Sequence, residues 1–254
     1  MNTKIVNLIW PTSAEQAVLD ARRGYELGAD AVIADLKFWP EAERTVATFR
    51  RVIEAVPGEW MFCLYRNDTV FGEDDERRMN TLLQCAEAGA RYVDVMADLY
   101  DPCPGEISFS AAAIARQREA IAAAHARGAQ VIMSAHDSAT FLDEEATLRV
   151  LRAQAERGPD VVKLVSRCDS EAELAAEERT LKRLQAEMTV PWIRLGSGKT
   201  GHQQRFLGLK YGCAMEFARI EPPEDGIQPT IAEFVEQRSF MGTDPNWTPE
   251  PTNR

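Results

Sequence analysis

Eight short apolar runs recur along this chain, each separated from the next by a longer stretch with helical spacing. They are KIVNLIW (4–10), AVIADLK (31–37), WMFCLYR (60–66), YVDVMA (92–97), QVIMSAHD (130–137), VVKLVS (161–166), VPWIRLGS (190–197) and AMEFARI (214–220). Such runs, rich in β-branched and aliphatic residues, read as strands covered on both faces, as parallel strands are. Between them lie alanine- and charge-rich segments such as AAAIARQREAIAAAHAR and EAELAAEERTLKRLQAEM. Four helical segments end in a glycine that leads into the next strand, in ELGAD, EAGAR, ARGAQ and ERGPD. Glycine supplies the left-handed residue that stops a helix. Eight strand–helix units without a Ser/Gly linker predict an α/β fold, a single (β/α)8 TIM barrel over residues 1–240. An open doubly wound sheet is the alternative, but it calls for a glycine-rich turn after the first strand, where IWPTSAEQA stands. Residues 241–254, MGTDPNWTPEPTNR, are proline-rich and polar and read as a C-terminal tail.

The formal net charge of −11 argues against nucleic acid or an anionic membrane as partner. An anionic ligand must then be held by a few local arginines or lysines. No apolar stretch reaches membrane-spanning length, and no secretory signal opens the sequence. The five cysteines, at 63, 85, 103, 168 and 213, are odd in number and form no Cys-x-x-Cys pair. That pattern argues against a disulfide framework or structural zinc and fits a reduced cytoplasm.

In a barrel of this kind the chemistry sits at the carboxyl ends of the strands. The polar residues expected there are Asp35, Lys37, Arg66, Asp94, His136, Asp137, Lys163, Ser166, Arg194 and Ser197. Lys163 stands out because DVVKLVSR sets an ammonium inside a strand, and burying a charge without a partner is costly. Desolvation lowers a lysine's pKa and frees the amine lone pair to attack a carbonyl, giving a Schiff base. His136, one strand away, is suited to taking and returning protons beside such an imine. The plainer alternatives are a Lys163 that points outward or pairs with a carboxylate such as Asp137, and a His136 bonded to a backbone carbonyl.

GSGKTG at 196–201 looks like a phosphate-binding loop, but the full pattern needs a glycine where Ile193 stands. A glycine-rich loop after the seventh strand remains a common place for an anionic group, with Arg205 and Lys199 to supply charge. His125, His136 and His202 show no metal-ligand spacing. Asp35 and Asp94 could hold magnesium, but carboxylates at strand ends pair with arginines just as readily, and no metal or cofactor is expected.

VIMSAHD, GPDVVKLVS, SGKTGHQQR and YGCAMEFA together resemble segments of type I 3-dehydroquinate dehydratases, in the right order. GADAVIADLK and FCLYR match the family's second and third strands in position. The resemblance implies a (β/α)8 barrel, usually a homodimer, that removes water from a cyclic β-hydroxy ketone with neither metal nor cofactor. By the same resemblance Lys163 would be the Schiff-base lysine and His136 the general acid/base. Arg205 would grip the carboxylate of a small anionic carbonyl substrate, with Arg66, Asp94, Asp35, Gln204 and Gln228 as further binding residues.

The chain departs from the family's pattern in several places. Ile33 and Asp35 replace a glutamate and an arginine, and Val70 and Met96 each replace a glutamate. Gln204 stands for a serine, Gly212-Cys213 for Gly-Ser, and Gln228 falls one place late. Missing hydrogen-bond partners would weaken the hold on a hydroxylated ring. Three readings therefore stand: a divergent dehydratase, a Schiff-base lyase or aldolase acting on a less hydroxylated carboxylated ketone, and a barrel that binds a metabolite without turnover.

Overall fold

The structure, a computed structural model, describes residues 3–241. Its strands are β1 (Lys4–Ile9), β2 (Ala31–Asp35), β3 (Trp60–Cys63), β4 (Tyr92–Met96), β5 (Gln130–Asp137), β6 (Val161–Arg167), β7 (Trp192–Ser197) and β8 (Met215–Ala218). The alternating helices are α1 (Ala14–Glu26), α2 (Val46–Ala55), α3 (Asp75–Glu87), α4 (Ala111–His125), α5 (Glu144–Ala155), α6 (Glu171–Glu187), α7 (Gly201–Tyr211) and α8 (Ile231–Met241). Every apolar run is a strand. Several of the polar residues that close the runs, Lys37 and Arg66 among them, lie just past the strand ends, in the loops at the mouth.

All pairings are parallel between successive strands, and β1 also pairs β8, from Lys4 opposite Met215 to Asn7 opposite Ala218. At the remaining seam the Ala214 N–H donates to the Trp192 carbonyl at 2.8 Å. The sheet therefore curls back on itself into a nearly closed (β/α)8 barrel and is not the open doubly wound alternative. The helix-ending glycines behave as their positions demand: Gly28, Gly89, Gly128 and Gly158 have φ of 99°, 106°, 87° and 91°. A side chain there would be strained by roughly 1–2 kcal/mol.

Between strands and helices, Trp39, Phe49 and Phe62 form a fully buried aromatic column with centroid spacings of 5.5 and 5.3 Å. α8 runs to Met241, the first residue of the expected tail, and 242–254 lie outside the described residues. Among the described residues no helix is long and apolar enough to cross a membrane.

A buried ion pair ties together the loops that follow β2 and β3. Arg44 donates to both oxygens of Asp68 (2.9 and 3.0 Å) and to the carbonyls of Leu36 and Trp39. Both side chains are excluded from water. Burial pushes the Asp68 carboxyl up, but Arg44 and the N–H groups of Val70 and Phe71 outweigh it and leave the pKa below its ordinary value. Asp68 thus stabilises the fold above the unfolded carboxylate range, and that stability is lost as pH falls through the lowered folded value. Arg44→Met should cost about 3–5 kcal/mol, because it strands a buried carboxylate. Urea unfolding near neutral pH reads this directly, and a loss under 1 kcal/mol would show that the pair is not a clamp.

Candidate active site

The barrel mouth encloses a cavity of about 360 Å³, and Lys163 lies among its lining residues. Its side chain points inward and is only 3% exposed. The sheet register puts Ser134 of β5 beside Lys163 of β6, with His136 two residues farther toward the mouth. Inward-facing positions alternate along a strand, so His136 stands one layer above the amine, roughly 7 Å along the strand axis.

The ammonium is paired, though not with Asp137. Lys163 Nζ donates to Asp94 Oδ2 at 3.0 Å and to the Tyr65 hydroxyl at 2.8 Å, and that hydroxyl donates to Asp94 Oδ2 at 2.7 Å. Ser134 Oγ donates to the other Asp94 oxygen. A fully buried carboxylate with three donors thus offsets the cost of placing a cation in the barrel. Burial, with Asp94 beside it, holds the Tyr65 phenol well above its ordinary pKa. It is therefore a proton donor at neutral pH. From α5, buried Gln154 grips the Lys163 peptide, donating to its carbonyl (2.9 Å) and accepting from its N–H (3.1 Å).

His136 is oriented by Glu106, whose Oε2 accepts from its Nδ1 at 2.7 Å and from its backbone N–H at 3.1 Å. With Nδ1 as donor, the neutral ring carries its lone pair on Nε2, the nitrogen free for proton transfer. The ring packs edge-on against Tyr65, with centroids 4.9 Å apart. Glu106 follows Gly105 in a short turn after β4 and has φ 51°, a left-handed conformation uncommon outside glycine. Strain of that kind gathers at functional sites. Sequence reading missed Glu106, and the Pro-Gly turn directly before it was the one available signal.

Arg205 reaches the cavity from α7. Its Nε donates to the Gly196 carbonyl at 3.1 Å, while its buried Nη1 has no partner. Burial draws its pKa down, and the nearby Glu216 carboxylate offsets that only in part. Gln228, from the loop between β8 and α8, lines the same cavity. Asp35 lines it too, accepting from Trp10 Nε1 (3.0 Å) and the Lys37 N–H (3.1 Å), and burial raises its pKa.

Other expected binding residues are committed elsewhere. Arg66 borders the cavity, but Asp98 takes its Nη1 through both oxygens (2.7 and 2.8 Å) and Asp75 takes its Nη2 at 2.7 Å. Burial lowers its pKa, and those two carboxylates more than reverse the shift. Gln204 is fully buried behind β7, bridging the Gly196 N–H and the Arg194 carbonyl, and is not in the lining. Ile33, Val70, Met96 and Cys213 are absent from the lining as well. Polar contact is offered instead by Asp35, Asn67, Glu106 and Ser138. The glycine-rich loop at 196–201 is occupied by the chain's own Asp169, whose Oδ1 accepts from the Lys199 N–H at 2.8 Å. Among the described residues no three His, Cys, Asp or Glu side chains gather into a metal-binding group.

The type I 3-dehydroquinase family model matches residues 8–245. The chain belongs to the type I 3-dehydroquinase family. Two curated 3-dehydroquinate dehydratases of Klebsiella pneumoniae are 32% and 33% identical to it over 121 residues. That match covers 46% of this chain and 47% of each relative, so the chain matches about half the length of these curated relatives. Among solved structures, the 3-dehydroquinate dehydratase of Geobacillus kaustophilus superposes with a TM-score of 0.79 at 16% identity, covering 96% of this chain and 92% of that one. The Clostridium difficile type I enzyme, solved with covalently modified comenic acid, gives 0.77 at 16% identity, covering 94% and 92%. At that identity the likeness speaks for the shared barrel alone. At the mouth of this type I 3-dehydroquinase barrel stand the Tyr65–Asp94–Lys163 cluster and the Glu106–His136 pair.

Proposed function

We propose that this protein dehydrates 3-dehydroquinate to 3-dehydroshikimate through an imine on Lys163, with His136 as the proton carrier. The observation that carries the reading is the buried Lys163 amine at the cavity in the barrel mouth, whose wall holds an unpaired guanidinium nitrogen of Arg205. Arg205 and Gln228 take the substrate carboxylate, which places the ring ketone over Nζ. Lys163 displaces the carbonyl oxygen as water, and the resulting iminium acidifies the adjacent carbon. His136 Nε2 removes a proton from that carbon. The electron pair passes through the enamine to expel the β-hydroxyl, which leaves as water with the proton His136 returns. Hydrolysis of the imine frees product and lysine. Asp35, Asn67 and Ser138 are at hand for the ring hydroxyls, so hydrogen bonding lost at Ile33, Val70 and Met96 is supplied from other positions.

One observation favours a less hydroxylated carboxylated ketone as the substrate of the same chemistry: Leu8, Val165, Leu195 and Phe217 give the cavity an apolar side. Steady-state kinetics separates the two. A kcat/KM for 3-dehydroquinate of about 10⁴ M⁻¹s⁻¹ or more is expected. Turnover of a carboxylated ketone lacking the ring hydroxyls, with 3-dehydroquinate inert, would move the assignment to the second reading. The reading also includes a reduced cytoplasm, where five unpaired cysteines are stable, and a homodimer.

A further inference from the structure

Imine formation needs no net proton. An ammonium and a ketone give an iminium and water, and both hydrogens of that water come from nitrogen. What the step requires is a path from nitrogen to oxygen. In this chain such a path is built around Lys163 and does not pass through His136.

We propose that Tyr65 and Asp94 form that path, so that the protein runs two separate proton circuits, one for the imine and one, on His136, for elimination. The inference rests on the Schiff-base reading above. Tyr65 is a catalytic residue in it, because its hydroxyl touches the reacting nitrogen at 2.8 Å and lines the cavity where the carbonyl oxygen must lie. Asp94 is within 3.0 Å of the same nitrogen and 2.7 Å of the tyrosine oxygen, so one carboxylate oxygen serves both.

The sequence of steps balances. Nζ–H passes its proton to Asp94, and the freed lone pair forms the N–C bond while the carbonyl π pair moves to oxygen. Tyr65 O–H protonates that oxygen, and Asp94 returns its proton to the tyrosine. The carbinolamine nitrogen then gives up a second proton by the same route. The C–O bond breaks, water leaves, and the nitrogen lone pair completes the iminium. Asp94 and Tyr65 end as they began. The elevated pKa of the phenol suits a donor that must be reprotonated at once by its neighbour. Ser134, donating to the far oxygen of Asp94, anchors the carboxylate for this exchange.

The experiment uses 3-oxocyclohexane-1-carboxylate, a carboxylated cyclic ketone with no β-hydroxyl to expel, in ¹⁸O-water. Imine formation and hydrolysis exchange its carbonyl oxygen, so mass spectrometry reads the imine circuit alone. Tyr65→Phe is expected to slow exchange by about 10²-fold or more, the usual effect of losing a positioned proton donor. His136→Ala should exchange at close to the wild-type rate. Asp94→Asn provides a second variant aimed at the same circuit and should also slow exchange. Borohydride reduction after long incubation should still place the adduct of Tyr65→Phe on Lys163, which a merely unfolded variant would not give. Wild-type exchange in Tyr65→Phe, or exchange that falls with His136→Ala instead, overturns the two-circuit assignment alone. Wild-type protein that neither exchanges nor traps any ketone overturns the Schiff-base reading as well.

Discussion

Lys163→Met is expected to lower kcat on 3-dehydroquinate on the order of 10⁶-fold, the scale seen when a covalent nucleophile is removed. Methionine nearly matches the lysine stem in length and packs without a polar end, so the barrel layer stays filled. It leaves Asp94 with the Tyr65 and Ser134 hydroxyls but without its cation. Breaking a buried pair in this way costs about 3–5 kcal/mol. The variant is therefore compared at a temperature where circular dichroism shows it folded. Lys163→Arg is the companion variant, keeping a cation beside Asp94 while removing the amine that attacks. Both are expected to be inactive. Retention of more than about 1% of wild-type kcat by either would show that turnover does not run through an imine at this residue.

The second large effect belongs to His136. Replacement by alanine is expected to lower kcat by about 10²–10⁴-fold, the range for a general acid/base, while the protein still forms imine. Substrate should then accumulate on the enzyme as a reducible adduct, because elimination is blocked after the amine has reacted. The free Nε2 carries this expectation, since Glu106 already holds Nδ1 and the ring stands one layer above Lys163. Rapid-quench mass spectrometry follows adduct and product together. Near-normal turnover in the alanine variant would remove His136 from the chemistry, and loss of the adduct itself would make it part of imine formation.

The barrel was legible because each strand and each helix stop is a local matter. Val161 to Ser166 read as a buried strand whatever lies beside them, and Gly89 or Gly128 ends its helix through its own backbone freedom. The positions of Lys163, His136 and Asp35 at the barrel mouth followed from strand ends in the same way. Pairing was not legible, because it depends on which charges meet across loops. Arg66 faces the mouth as expected, but Asp75 and Asp98 reach it first. Glu106 lies 30 residues before His136 and joins it only because the turn after β4 folds over the end of β5. Tyr65, two residues past β3, and Asp94 of β4 meet Lys163 of β6 inside the barrel, and a linear pattern carries no record of that meeting. Replacement of family carboxylates by Val70 and Met96 likewise reads as a loss in sequence, although neither residue borders the cavity.

The most direct test is to reduce the wild-type protein with borohydride during turnover of 3-dehydroquinate and map the adduct by peptide mass spectrometry. The modification is expected on Lys163, in the peptide containing residues 160–167. An adduct on Lys37 or Lys199 instead, or continued turnover with no trapped species, would contradict a mechanism through the Lys163 imine.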